Sequence, residues 1–163
     1  MINFTNAIHI NRPVDEVYAY LADLEHTPEW NWAITETKKT TAGPVAVGTR
    51  YQQTRSVPRP ATEELEVTAL EPNRRIEVQG TLAQFPAHLS YRVEKSHTGT
   101  ELTNTVELQP EGALRLVGSL IGGRIRQAVA DNLKQLKILL ETSPDPTSQD
   151  NWTVTGRGNR PHA

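Results

Sequence analysis

The hydrophobic pattern of the chain changes its period after Pro110. Upstream of that residue, apolar side chains alternate with polar ones over short segments, as in β-strands that bury one face. Downstream of it, apolar residues recur at steps of three and four from Leu114 to Leu140, which predicts one long amphipathic helix. Because neither pattern buries its apolar face alone, we expect the helix to pack against a sheet.

Short turns divide the upstream part into about seven predicted strands. These strands cover residues 3–10, 34–41, 49–57, 62–70, 75–82, 87–95 and 100–108. Between the first two strands, Val14, Val17 and Leu21 recur at helical spacing, which predicts a helix that ends near Asp23. A second short helical turn is expected over residues 25–31. Because short turns join the later strands, they are expected to form an antiparallel meander, and the predicted fold class is α+β.

Composition and charge argue against several functional classes. The 17 Lys and Arg residues are balanced by 19 Asp and Glu residues, so no positive field favours nucleic acid. Cysteine is absent, which excludes disulfides, thiol nucleophiles and thiolate metal sites. The histidines lack the spacing of metal ligands, so we expect no metal. They are His9, His26, His88, His97 and His162.

No part of the sequence predicts membrane insertion. The most apolar stretch, residues 113–123, is interrupted by Arg115 and is too short to cross a bilayer. The first residues lack the basic and apolar regions of a signal peptide, so we expect a soluble, cytoplasmic protein. The sequence leaves the oligomeric state open between monomer and dimer.

The apolar pattern ends shortly after Leu140. Between residues 143 and 163, Val154 is the only Leu, Ile, Val or Phe, and Ser, Pro, Asp, Thr, Asn and Gly dominate. Such a segment cannot bury enough apolar surface to offset its conformational entropy. We therefore expect a single domain over residues 1–142 and a disordered polar tail over residues 143–163.

Four segments and their order resemble a known group of proteins. They are INRPVDEVYAYLADLEHTPEW, VGTRYQQTR, ALEPNRRIEV and GTELTNTVEL, followed by the long helix. With this order, the chain resembles the START-like or SRPBCC superfamily, and within it the bacterial polyketide cyclase/dehydrase and lipid-transport group. The resemblance implies a helix-grip fold, in which a curved antiparallel sheet of about seven strands surrounds the C-terminal helix and encloses a cavity. It supplies no shared catalytic signature, so the catalytic residues stay unknown.

Strand alternation places several polar side chains on the predicted inner face. They share their parity with buried aliphatic residues, and a pocket that holds water or a ligand would accommodate them better than a dry core. Strand ends that reach solvent, or pairing among these groups, would also explain them. We expect the ligand-binding residues to include Tyr51, Gln53, Arg55, Tyr91 and Asn104 from the strands, with Ile121 from the helix.

Two tryptophans and one arginine add further expectations. Trp30 and Trp32 follow the first helix, where the resemblance implies the mouth of the pocket. We expect one of them to pack against the sheet and the other to act as a gate, and the sequence does not distinguish them. An inward Arg55 keeps its charge, so it must face water, a carboxylate or a ligand oxygen.

Two functions from different classes fit these observations. The first is the binding of a small hydrophobic or aromatic molecule, lipid- or polyketide-like, in the internal cavity. The second is a cofactor-independent cyclase or dehydratase, in which Tyr51, Arg55 or Tyr91 polarises a carbonyl or moves a proton. Neither function needs a cofactor.

The positions of the acidic residues favour one of these two functions. Glu63, Glu64 and Glu66 suggest an acid–base pair, but Glu64 and Glu66 lie opposite the apolar face and are expected in solvent. We identify no inward Asp, Glu or His from strand parity. Because an enzyme of this kind needs a buried acid or base, binding is the favoured function.

Overall fold

The computed structural model of the protein describes residues 1–82, 85–110 and 118–143, without the side chains of residues 118–121. Its strands are β1 (Ile2–Ile10), β2 (Ile34–Lys39), β3 (Arg50–Arg55), β4 (Ala61–Glu71), β5 (Arg75–Leu82), β6 (Phe85–Lys95) and β7 (Thr100–Leu108). Its helices are α1 (Val14–Ala22), α2 (Thr27–Trp30), which follows a 3₁₀ turn at Leu24–His26, and α3 (Gly118–Thr142). The predicted strands, two short helices and long C-terminal helix are confirmed. The predicted start of the long helix, near Leu114, lies outside the described residues.

All seven strands form one curved antiparallel sheet in the order β1-β7-β6-β5-β4-β3-β2. The register opposes apolar residues on neighbouring strands, such as Ile8 with Leu102 and Val78 with Leu89. Because side chains of one parity point to one face, these pairs build a continuous inner face. The predicted meander and the helix-grip architecture are confirmed.

The core lies between this inner face and the helices. The larger apolar cluster includes Ile10, Val17 and Leu136, and the smaller one comprises Phe4, Ala87, Val106 and Leu108. Helix α3 lies mainly along β1. At Gly122 a Cβ would come 3.0 Å from the side chain of Ile2, so the missing side chain permits this close approach.

One strand departs from the predicted alternation. The pairing of β4 with β5 shifts between Val67 and Ala69, so Leu70 pairs with Ile76. Strict alternation from Leu65 and Val67 would place Ala69 on the inner face, but a β-bulge passes the inward position to Leu70, which packs against the larger cluster.

The end of α3 is tied to the segment that follows β1. The Arg12 side chain donates hydrogen bonds to the carbonyl oxygens of Leu140, at 2.8 Å, and Ser143. Lys137 donates from Nζ to the His9 carbonyl oxygen at 2.6 Å. The Arg12 contacts satisfy carbonyl groups at a helix end, which have no partner within the helix. Apart from Ser143, the predicted tail over residues 143–163 lies outside the described residues.

Among the described helices, none is long and apolar enough to cross a membrane.

Candidate functional site

A buried ion pair links β3 and β4 on the inner face. The Arg55 guanidinium donates from Nε to Oε1 of Glu63 at 2.8 Å and from Nη2 to Oε2 at 3.1 Å. Gln53, which pairs with Glu63 in the register, donates from Nε2 to Oε2 at 2.9 Å. All three residues are buried. We call Gln53, Arg55 and Glu63 the ion-pair group.

Glu63 lies on the inner face, so the expectation that no acidic residue points inward is wrong. The Glu63 residue is only 2% exposed and has the same strand parity as Leu65 and Val67. The signal was therefore present in the sequence. The carboxylate is tolerated inside because a guanidinium neutralises it in a two-point contact, which an isolated buried carboxylate would lack.

The ion pair also decides what Arg55 faces. A buried guanidinium was expected to face water, a carboxylate or a ligand oxygen. In the structure, Arg55 faces the carboxylate of Glu63. The remaining Nη1 donates a long bond of 3.5 Å to the carbonyl oxygen of Val57. The positive charge of Arg55 is thus compensated within the protein.

A second polar group lies on β6 and β7. Tyr91 stands directly opposite Asn104 in the register, with both side chains on the inner face. Trp30 meets the Tyr91 ring edge-on, with 6.4 Å between ring centroids. Burial raises the pKa of Tyr91 to about 12, so its hydroxyl is a neutral hydrogen-bond donor near pH 7. No hydrogen bond joins this hydroxyl to any residue in the described ranges.

Among the described residues, two buried side-chain amide oxygens, one on β7 and one on α3, have no hydrogen-bond partner. Asn104 donates from Nδ2 to the Ser90 carbonyl oxygen at 3.3 Å, while its Oδ1 has no partner in the described part of the chain. On α3, Asn132 donates from Nδ2 to Oδ1 of Asn31 at 3.1 Å, and its own Oδ1 likewise has no described partner. A buried acceptor without a partner costs about 1–3 kcal/mol, so a hydrogen-bond donor placed beside either oxygen would be stabilising.

The inner face of the sheet and the first half of α3 carry apolar side chains that keep accessible surface. Leu89 and Tyr91 keep accessible surface, although their register partners on β5 and β7 are buried. On the facing helix, Ile125 and Val129 are also only partly buried, whereas Leu133 is 1% exposed. Val129 packs against both apolar clusters. In the described part of α3, the core-facing side chains of the first half are therefore only partly buried, whereas those of the second half are buried.

The structure distinguishes the two tryptophans. Trp30 is buried against Tyr91, whereas Trp32 is 59% exposed. Trp30 is the residue that packs, and Trp32 has the exposed position that a gate requires. The side chain of Ile121 lies outside the described residues.

Tyr51 is fully buried on β3, on the inner face as expected. Burial raises the pKa of Tyr51 to about 12, and the negative charge of Asp23 adds to this rise. The backbone at Leu24 acts in the opposite direction and lowers the pKa. Its neighbour across the strand pair is Leu65. Tyr51 thus contributes apolar surface to the core and is neutral near pH 7.

The five predicted binding residues on the strands share the inner face, and four of them form two separate groups. Leu65, two residues beyond Glu63, pairs with Gly80, whereas Tyr91 pairs with Ile76 farther along β5. Strand β5 also lies between β4 and β6. The structure brings Gln53 together with Arg55 and Tyr91 together with Asn104, at different levels of the sheet.

The outer face carries an open groove of about 490 Å³. It is lined by the polar side chains of Glu64, Gln79, His88 and Glu107, among others. None of the predicted binding residues lines it, and carboxylates make it a poor site for an apolar ligand. Within the described ranges, no three His, Asp or Glu residues are grouped so that they could hold a metal ion.

Comparison with known proteins supports the fold at the level of a family. The family model described as polyketide cyclase / dehydrase and lipid transport matches residues 1–141. No curated protein matches the sequence.

Several solved structures are similar to the chain. A protein from Thermus thermophilus has 15% identity and a TM-score of 0.71, over 86% of this chain and 99% of that chain. A START superfamily protein from Mycobacterium smegmatis has 13% identity and a TM-score of 0.68, over 85% and 98%. The di-domain ARO/CYC protein StfQ of the steffimycin biosynthetic pathway has 15% identity and a TM-score of 0.67, over 84% of this chain and 50% of that chain. At these identities the similarity establishes the fold alone.

Proposed function

Since the chain belongs to the polyketide cyclase / dehydrase and lipid transport family, with a START-like fold, we propose that it binds a small hydrophobic or aromatic molecule in an internal cavity between the sheet and α3. In this proposal Leu89, Tyr91, Ile125 and Val129 supply the apolar wall. Trp32 stands at the mouth, and Ile121 is proposed to extend the wall along the helix.

One observation carries the proposal: inner-face side chains at the middle of the sheet keep accessible surface. Leu89 and Tyr91 lie between strands whose residues at the same level are buried. A closed core would bury such residues completely, because interiors are close-packed. Apolar surface with a few convergent polar groups is what small-molecule sites present.

The ion-pair group forms the proposed polar end of the wall near β3. Gln53 and Arg55 face inward there, and Glu63 compensates the charge of Arg55. Since the guanidinium is already paired, we propose that this end shapes the cavity and contacts neutral parts of the ligand.

The direct test is native mass spectrometry of the purified full chain. We expect a mass adduct that disappears when the protein is denatured and that extraction into organic solvent recovers. The extract should then bind again to protein that was unfolded, washed and refolded. Refolded protein that fails to bind both the extract and an apolar fluorescent probe would contradict the proposal.

A cyclase or dehydratase is the second candidate, favoured by two observations. Glu63 supplies the inward carboxylate that the sequence analysis lacked, and the neutral Tyr91 hydroxyl is a donor that can polarise a carbonyl. Incubation with a linear poly-β-ketone should then give a product lighter by one water. Tyr91→Phe should slow this turnover, whereas Tyr20→Phe should not, because the Tyr20 hydroxyl already donates to Glu29. Unchanged substrate with the native protein would leave binding as the function.

A further inference from the structure

We propose that the ligand's polar end is an uncharged hydrogen-bond donor, a phenol or alcohol hydroxyl, which donates its one hydrogen to the side-chain oxygen of Asn104 or of Asn132. This inference rests on the proposed binding function and specifies the chemical class of its ligand. It is carried by buried acceptors that have no partner and by the absence of a free buried cation among the described residues.

Asn104 presents an acceptor whose orientation is fixed. Its Nδ2 donates to the Ser90 carbonyl oxygen, and the reversed amide would bring two oxygens together there. Oδ1 is therefore the atom left without a described partner, on a residue that is 1% exposed. Tyr91 stands directly across the strand pair, so a neutral donor and an acceptor lie side by side.

Asn132 supplies a second acceptor from the opposite wall. Its Nδ2 donates to Oδ1 of Asn31, which also accepts the backbone N–H of Ala33, so the amide orientation is again fixed. Asn31 directly follows Trp30, the residue that packs on Tyr91. Asn132 is thus linked through Asn31 and its neighbour Trp30 to the Tyr91 side of the core, and its Oδ1 has no partner within the described structure.

The charges of the inner face disfavour an anionic ligand. Among the residues that the structure describes, Arg55 is the only buried Lys or Arg, and both oxygens of Glu63 already accept from it. A carboxylate ligand would therefore meet the carbonyl oxygens of Asn104 and Asn132 without a counter-ion. A buried, unpaired charge is far more costly than a hydroxyl that donates to an acceptor.

Three probes of one shape test this class on the native full chain. They are β-naphthol, its methyl ether and β-naphthoate, titrated at neutral pH by isothermal calorimetry. We expect β-naphthol to bind about tenfold or more tightly than either analogue, since one buried acceptor is satisfied only by the hydroxyl. If all three probes bind alike, the inference is wrong and the proposed cavity stands. If none binds, the proposed cavity fails, and the inference fails with it.

Variants locate the effect. Asn104→Leu should reduce the preference for β-naphthol over the ether to about twofold or less. Asn3→Leu, a matched change on the outer face of β1, should preserve the preference. Asn132→Leu provides a second test should Asn104→Leu prove unstable. A preference that persists in both folded inner-face variants would overturn the assignment.

Discussion

The Arg55 guanidinium and the Glu63 carboxylate face each other across β3 and β4 with two nitrogen–oxygen contacts, at 2.8 and 3.1 Å, inside the protein. The pair explains why two charged residues are tolerated on an otherwise largely apolar face. It also means that neither charge is available to a ligand unless the pair opens.

Breaking this pair should destabilise the fold strongly. Arg55→Met or Glu63→Leu alone leaves the other charge buried without its partner, so each should lower the free energy of unfolding by about 3–5 kcal/mol. The double variant removes both charges and should recover much of that loss. Urea denaturation measures all three variants.

An exposed pair on the same two strands provides the control. Arg50 donates to Glu66 at 3.1 Å, but both side chains are accessible, so Arg50→Met should cost less than about 1 kcal/mol. If Arg50→Met and Arg55→Met lower the free energy of unfolding equally, burial does not increase the contribution of the inner pair to stability.

Leu133→Ala should lower the free energy of unfolding by about 2–5 kcal/mol, because it removes fully buried methyl groups from the contact between α3 and the sheet. Ile138, on the same helix, is 53% exposed, and Ile138→Ala should change stability by less than about 0.5 kcal/mol. A loss below about 1 kcal/mol for Leu133→Ala would mean that the sheet does not grip the helix.

Alkaline pH should destabilise the protein through its tyrosines. Burial raises the pKa of Tyr51 and of Tyr91 from 10.0 to about 12 in the folded state. A folded-state pKa above the unfolded value stabilises the protein fully below pH 10 and less as the pH rises through 12. Denaturation midpoints should fall over this window, and Tyr91→Phe should flatten the decline. A midpoint that stays constant over the window would contradict the raised pKa values of these two tyrosines.

Removal of residues 144–163 should leave the melting temperature within a few degrees, because the tail sequence has no apolar periodicity. Ser143 is retained, since its carbonyl oxygen accepts from Arg12. Arg12→Met, which removes the bonds to the end of α3, should lower the melting temperature more than the truncation does. A large drop on truncation would place Trp152 or Val154 against the domain.

Much of the fold follows from local patterns in the sequence. Alternation fixes which face of a strand is buried, so the inward positions of Tyr51, Gln53 and Arg55 were predictable. The steps of three and four predicted burial of Leu133 and Leu136 in the same way. These residues required no knowledge of which strands pair.

The remaining features depend on pairing between strands. The bulge after Val67 changes parity within β4, and no local signal marks it. Glu63 had the inward parity, but an acidic run suggests solvent, and its partner Arg55 is revealed only by the register of two strands. Likewise, the relation between Trp30 and Tyr91 depends on how α2 meets the sheet.

The central claim is that a ligand lies between the inner face and the first half of α3. Calorimetric titration of β-naphthol into Val129→Trp tests it most directly, with Ile138→Trp on the exposed side of the helix as the matched control. We expect Val129→Trp to fold and to lose binding at least about tenfold, because the indole fills the space that the probe needs, while Ile138→Trp binds like the native protein. Undiminished binding by a folded Val129→Trp protein would contradict the claim.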